Sequence, residues 1–184
     1  MFAALHLPAF SAMAALRAFP DLRAHPCVVV ADRRGTGQPK APILAVNSAA
    51  AAWKIAAGWN VGRARARCPE LRVIPRDIES EARLADELLA LAESLSPDFE
   101  QTRPDTLLID LSGNPDATLP PHPRLAGLRF RRAATPDLCL LAMVAEADFP
   151  EGKSWQLTDF EPLPLELCMQ AGFPGAAEFC PLLE

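Results

Sequence analysis

The chain has 184 residues, of which 50% are hydrophobic and 22% charged, enough for one compact core or for a domain carrying a smaller second one. No apolar run reaches the roughly 18 residues of a membrane span, and the start lacks the basic stretch and cleavage site of a secretory signal, so a cytoplasmic protein with no membrane contact is expected. A net charge of -5 and a pI near 5.3 exclude a surface built throughout to neutralise phosphates, so any DNA contact must be local, weak or shared with a partner.

Residues 2–7 form a short apolar run ended by Pro8, which suits the first turn of a helix and not a central strand. Residues 9–19 read as a helix closed by Pro20, and the β-branched run 27–31 as a buried strand. Residues 32–42 hold two Gly, two Pro and four charges and read as an exposed connection. Within it, Gly35 and Gly37 lack the strand and helix of a phosphate loop and are ordinary loop glycines. Residues 43–46 are a second short strand, and Asn47 caps an alanine-rich helix toward Trp53 that Gly58 ends.

A short helix is expected over 61–67 and a strand over 71–74. Asp77 opens the longest helical pattern, with Ala82, Leu84, Leu88, Leu91, Ala92 and Leu95 at core spacing before Pro97. Residues 99–102 and 106–111 read as a strand pair. The stretch 114–123 contains four prolines and reads as a loop, residues 128–132 as a strand, and residues 136–147 as a helix capped by Thr135. Beyond Gly152 the pattern weakens to apolar pieces around 163–169 and 176–183.

This mixed order indicates an α/β (α+β) fold without a dinucleotide-binding turn. The strands at 2–7, 99–102, 106–111 and 128–132 should share one antiparallel-rich sheet, backed by the helices near 79–95 and 136–147. The five cysteines, Cys27, Cys68, Cys139, Cys168 and Cys180, form no C-x-x-C pair and have no His at ligand spacing, so they read as buried thiols.

Three segments carry a family resemblance. H-L-P-A-F-S-A-M-A-A-L-R-A-F-P-D-L-R-A-H-P-C-V-V-V, from His6 onward, resembles the opening of the Y-family (translesion, UmuC/DinB-like) DNA polymerases, D-x-D-x-F-[FY]-A followed by N-P-x-L-[RK]-x-x-P-V-x-V. The stretch 45–71 is similar to the fingers pattern N-Y-x-A-R-x-x-G through to C-P, and D-T-L-L-I-D-L-S-G, from Asp105, to the palm strand S-I-D-E-A-[FY]-L-D-[VL]-[ST]. Residues 134–145 are similar to a later palm helix, and L-P-L-E-L-C-M-Q-A-G-F-P to the thumb. The little finger that grips DNA has no counterpart in these residues. The resemblance implies a reduced palm at 1–10 and 74–150, a small fingers-like lobe at 11–73, and a thumb-like remnant at 151–184.

It also implies a degenerate catalytic site. Such polymerases hold two divalent ions with clustered carboxylates. Here the first aligned acid is His6, the second Pro8, and the later pair Asp105 and Thr106. One carboxylate cannot assemble a two-metal clamp, so no metal and no cofactor are expected, and His6 with Asp105 falls short of a transition-metal ligand set. His6 otherwise reads as a structural histidine.

The triphosphate contacts fare no better: the fingers Tyr and Arg align with Ser48 and Ala51, the next basic position with Ala52, and the steric-gate aromatic with Ser11. Phe10 and Trp53 read as core packing. Arg63, Arg65 and Arg67, alone or with Arg17 and Arg23, could touch a phosphate backbone, although such charges are usually only solvated. The same alternatives hold for Arg129, Arg131 and Arg132, while Asp110 reads as structural. Q-L-T-D-F at 156–160 loosely resembles a sliding-clamp peptide but has Asp159 where an apolar residue belongs.

These readings converge on a catalytically inactive, ImuB-like relative acting as an accessory or adaptor in DNA repair and damage-induced mutagenesis. The resemblance implies an error-prone polymerase, a RecA-like partner and the sliding clamp as partners, with weak or no direct DNA binding. The alternatives are a weak DNA-binding module without catalysis and a degenerate but working nucleotidyltransferase.

Overall fold

The computed structural model describes residues 1–119, 122, 125, 127–133, 135–136 and 154–155. The expected helix at 136–147, the clamp-like peptide, the apolar pieces at 163–169 and 176–183, and Cys139, Cys168 and Cys180 lie outside the described residues, apart from Pro136 at the helix start. The chain divides into two compact units, Met1–Pro8 with Glu87–Glu184, and Ala9–Asp86.

The first unit is built on a five-stranded sheet. Its strands are β1 (Phe2–His6), β5 (Phe99–Arg103), β6 (Thr106–Asp110), β7 (Arg129–Ala133) and β8 (Ser154–Trp155), ordered β5-β6-β1-β7-β8. β1 is central and antiparallel to both neighbours, with Phe2 opposite Asp110 and Ala133, and His6 opposite Thr106 and Arg129. Ala3, Ala4 and Leu5 are completely buried, as a short apolar run between two partner strands must be. The expected strands at 2–7, 99–102, 106–111 and 128–132 therefore do share a sheet. β8, parallel to β7, is an addition that the weak pattern after Gly152 did not signal.

The second unit contains α1 (Phe10–Leu16), β2 (Cys27–Val30), β3 (Ala45–Val46), α2 (Ser48–Ala52), α3 (Val61–Arg67) and β4 (Arg72–Pro75). β2 lies between β3, antiparallel, and β4, parallel. All four β2 residues are buried, and their alternation divides two clusters. Val28 and Val30 join Ile43, Val61, Ala64, Cys68 and Leu71, whereas Cys27 and Val29 join Ala12, Ala15, Leu16 and Ile74. Cys27 and Cys68 are buried free thiols.

Local capping follows the sequence. Asn47 Oδ1 accepts from Ala50 N at 2.9 Å to start α2, and from Cys27 N at 3.0 Å, while its amide donates to His25 O at 2.8 Å. One buried side chain thus fixes the α2 start to the β2 start. α1 is shorter than the 9–19 reading, beginning after Ala9, whose φ of 52° is left-handed, and giving way to a 3-10 turn at Pro20–Leu22.

α4 (Ile78–Leu95) is the longest helix, and Asp77 opens it by accepting from Ser80 N at 2.9 Å and Ser80 Oγ at 2.8 Å. The unit boundary falls within it, after Asp86. Leu84, Leu88, Leu91, Ala92 and Leu95 are buried as expected, but Ala82 is exposed and Glu81 takes the buried position. Glu81 can be buried because Arg76 grips it with two nitrogens, Nε at 2.9 Å from both oxygens and Nη2 at 2.6 Å from one.

Candidate functional site

The β1/β6 register brings together three of the four positions that the resemblance aligns with catalytic acids. His6 faces Thr106 across the ladder, and Leu7 N donates to Asp105 O at 2.9 Å, which holds the β5/β6 turn against the end of β1. The Thr106 hydroxyl donates to Asp105 Oδ1 at 2.8 Å and lies 2.9 Å from His6 Nδ1. With the hydroxyl proton committed to the carboxylate, Thr106 Oγ1 is left to accept from Nδ1–H. The result is a two-bond chain, His6 to Thr106 to Asp105. Thr106 is itself buried.

Burial holds the His6 imidazole below its ordinary value of 6.5, and the charges of Arg129 and Arg103 push the same way against the opposing carboxylate of Asp105. His6 is therefore a neutral ring near pH 7, with Asp105 the negative charge that faces it among the described residues. Arg129 sits directly opposite His6 on β7. Pro8, aligned with the second acid, ends the first segment of this unit and offers no side-chain oxygen. Among the described residues, no three His, Cys, Asp or Glu side chains gather as metal ligands would.

The aligned triphosphate positions, Ser11, Ser48, Ala51 and Ala52, all belong to the second unit. Ser48, Ala51 and Ala52 are exposed in α2, where the alanines present no donor. The Ser11 hydroxyl is used by Glu81. Burial raises the Glu81 carboxyl, but the bonds from Arg76 and Ser11 outweigh it and leave the group below its ordinary value.

The arginine clusters differ in role. Arg63 stacks on the Trp59 ring, 3.7 Å from its centroid, Arg65 Nη2 donates to Thr36 O at 3.3 Å, and Arg67 Nε donates to Trp53 O at 2.9 Å. All three are exposed, and Trp53, read from the sequence as core, is 42% exposed. On β7, Arg131 is buried, and Arg132 donates to Pro115 O at 3.2 Å and to Ala117 O, tying the proline-rich loop to the sheet. Asp110 accepts from Ser112 N at 2.8 Å and Ser112 Oγ at 2.5 Å, which lowers its carboxyl.

Sequence reasoning missed Arg103, the Arg76 and Glu81 pair, and the Trp59 platform. Only the last had a local signal, an aromatic four residues before Arg63.

The model of the impB/mucB/samB family matches residues 5–145, well over half of the chain. The chain belongs to this family. No curated protein matches it. Among solved structures, a Y-family DNA polymerase chimera, Dbh-Dpo4(243-245)-Dbh, superposes with a TM-score of 0.55 at 17% identity. The alignment covers 61% of this chain and 33% of that one, so this impB/mucB/samB member spans about a third of the polymerase it matches. At that identity the likeness shows the fold, which is Y-family polymerase-like.

Proposed function

We propose that this impB/mucB/samB member is a non-catalytic, ImuB-like accessory protein in DNA repair and damage-induced mutagenesis. The observation that carries the reading is the hydrogen-bonded run of His6, Thr106 and Asp105 at the place where the family resemblance puts a two-metal clamp. Two divalent ions bring about four positive charges and ask for hard oxygen ligands. A neutral imidazole, a proline and a hydroxyl do not supply them, and Asp105 is a single carboxylate. The residues do not fit the ions, and no catalytic step is assigned to them.

Under this reading the polymerase-like fold serves protein contacts: an error-prone polymerase, a RecA-like protein and the sliding clamp. Primer extension by the purified chain, with magnesium or manganese, tests it. No nucleotide should be added, and Thr106→Glu should not restore addition, because the first-strand ligands and the triphosphate donors would still be lacking. Extension by the wild-type chain that disappears on Asp105→Ala would make the protein an enzyme.

A further inference from the structure

A single row of side chains crosses the sheet of the first unit. Arg103 lies opposite Thr106, Thr106 opposite His6, and His6 opposite Arg129, so the row runs over β5, β6, β1 and β7. Directly paired residues of antiparallel strands point to one face of the sheet. Leu5 and Leu107, the neighbours of His6 and Thr106 along their strands, alternate to the other face and are completely buried there. The row is therefore turned away from that part of the core.

A bulge puts the first member in place. The β5/β6 register shifts between Gln101 and Arg103, and Thr102 Oγ1 donates to Thr106 O at 3.2 Å. An unshifted ladder would set Thr102 opposite Thr106, and the extra residue sets Arg103 there instead.

The charge of this row is opposite to what a metal clamp needs. Arg103 and Arg129 both act on the neutral His6 ring, and Asp105 is the carboxylate that faces it, so the guanidinium groups exceed the carboxylate by one positive charge. In the next row on the same face, Glu100, Leu108, Ala4 and Arg131, the charges cancel. An arginine has five N–H donors, and one that is engaged elsewhere keeps others for a second acceptor.

We infer that the row from Arg103 to Arg129 is a carboxylate site, which takes one Asp or Glu side chain from an acidic segment of a partner protein. Guanidinium groups meet a carboxylate through paired, charge-assisted hydrogen bonds. One carboxylate matches the excess of one charge, whereas a phosphate dianion exceeds it and a polyanion is repelled by the acids of the surrounding unit. The inference rests on the non-catalytic reading, because divalent ions held at this place would meet the two arginines as like charges.

The test is a titration of the full chain with an end-blocked tetraglutamate peptide to about 10 mM at constant ionic strength. Proton NMR of the His6 ring, assigned with His6→Gln, is the readout. The ring signals should shift saturably and their pH midpoint should rise, since a bound carboxylate favours the imidazolium form. The matching tetraglutamine peptide should shift nothing. Arg103→Gln, at an exposed position, should weaken binding about tenfold, and Arg103→Lys less, because lysine keeps the charge and loses the fork. Arg129→Gln should match Arg103→Gln, while Arg63→Gln in the other unit should leave binding unchanged. No saturable shift, a shift unmoved by Arg103→Gln, or tighter binding of inorganic phosphate or oligo(dT) at His6 would overturn the site. Any of these with primer extension still absent strikes the carboxylate site alone. Primer extension by the wild-type chain would take the non-catalytic reading and this inference together.

Discussion

The two compact units differ first in charge. Ala9–Asp86 carries 12 basic and 7 acidic residues, a balance of +5, and the remainder carries 6 basic and 16 acidic, a balance of -10, which together give the chain's -5. They differ also in what their polar groups do. In the first unit the polar groups at the end of the central strand are turned on one another, His6 to Thr106 to Asp105. In the second, Arg63, Arg65 and Arg67 are braced by the protein yet left exposed. A total charge averages this away, so an acidic pI is a poor guide to what one face of a small protein can bind.

The sharpest way to probe the contrast is through the two central strands. Leu5→Ala in β1 should destabilise the protein by about 3 kcal/mol, since a fully buried side chain is cut back between two strands. Val29→Ala in β2, which loses less volume, should cost about 2 kcal/mol. Urea denaturation followed by circular dichroism reads both. A cost under about 0.5 kcal/mol for either would mean that strand is not the centre of its unit.

Next in size are the polar joints. Asn47→Ala removes the α2 cap and strands Cys27 N, and should cost about 1 to 2 kcal/mol in the same assay. Glu81→Gln weakens the grip of Arg76, and because Arg76 is itself 43% exposed at its side chain the loss should be only about 1 kcal/mol. Both Asp77 and Glu81 have folded values below their ordinary ones. Their stabilisation is therefore present above about pH 4 to 4.5 and is lost as the pH falls through the folded values. Wild-type denaturation midpoints should drop in that window, and Glu81→Gln should drop less.

The smallest effect belongs to His6. Its folded value is lowered, so the unfolded chain binds the proton first, and stability falls slightly as pH decreases through 6.5 toward the folded value. A proton NMR titration of the His6 ring should give a midpoint below 6.5. A midpoint above it would mean Asp105 outweighs burial and the two nearby arginines.

Much of this was legible in the sequence because it depends on neighbours along the chain. Asn47 before an alanine run, Asp77 before a repeating leucine pattern, and the β-branched 27–30 stretch each state their element locally. Ala82 went astray because a helix face tolerates one polar residue if a partner such as Arg76 meets it, and that pairing does not show in hydrophobic periodicity. The bond between His6 and Thr106 spans 100 residues and exists only because the β1/β6 register is fixed. The family pattern pointed to both positions, but it could not say that they would bond to each other. Arg132 likewise looked like a surface charge until the proline-rich loop was seen to offer it carbonyls.

The central proposal, that the clamp position is occupied by a hydrogen-bonded His6, Thr106 and Asp105 chain and not by metal ligands, is tested most directly with manganese. Paramagnetic broadening of the His6 ring signals should be absent on titration to about 1 mM manganese, a range that populates an intact carboxylate clamp. Saturable broadening centred on His6, abolished by Asp105→Ala in a chain that stays folded, would contradict it and restore a metal site to this palm.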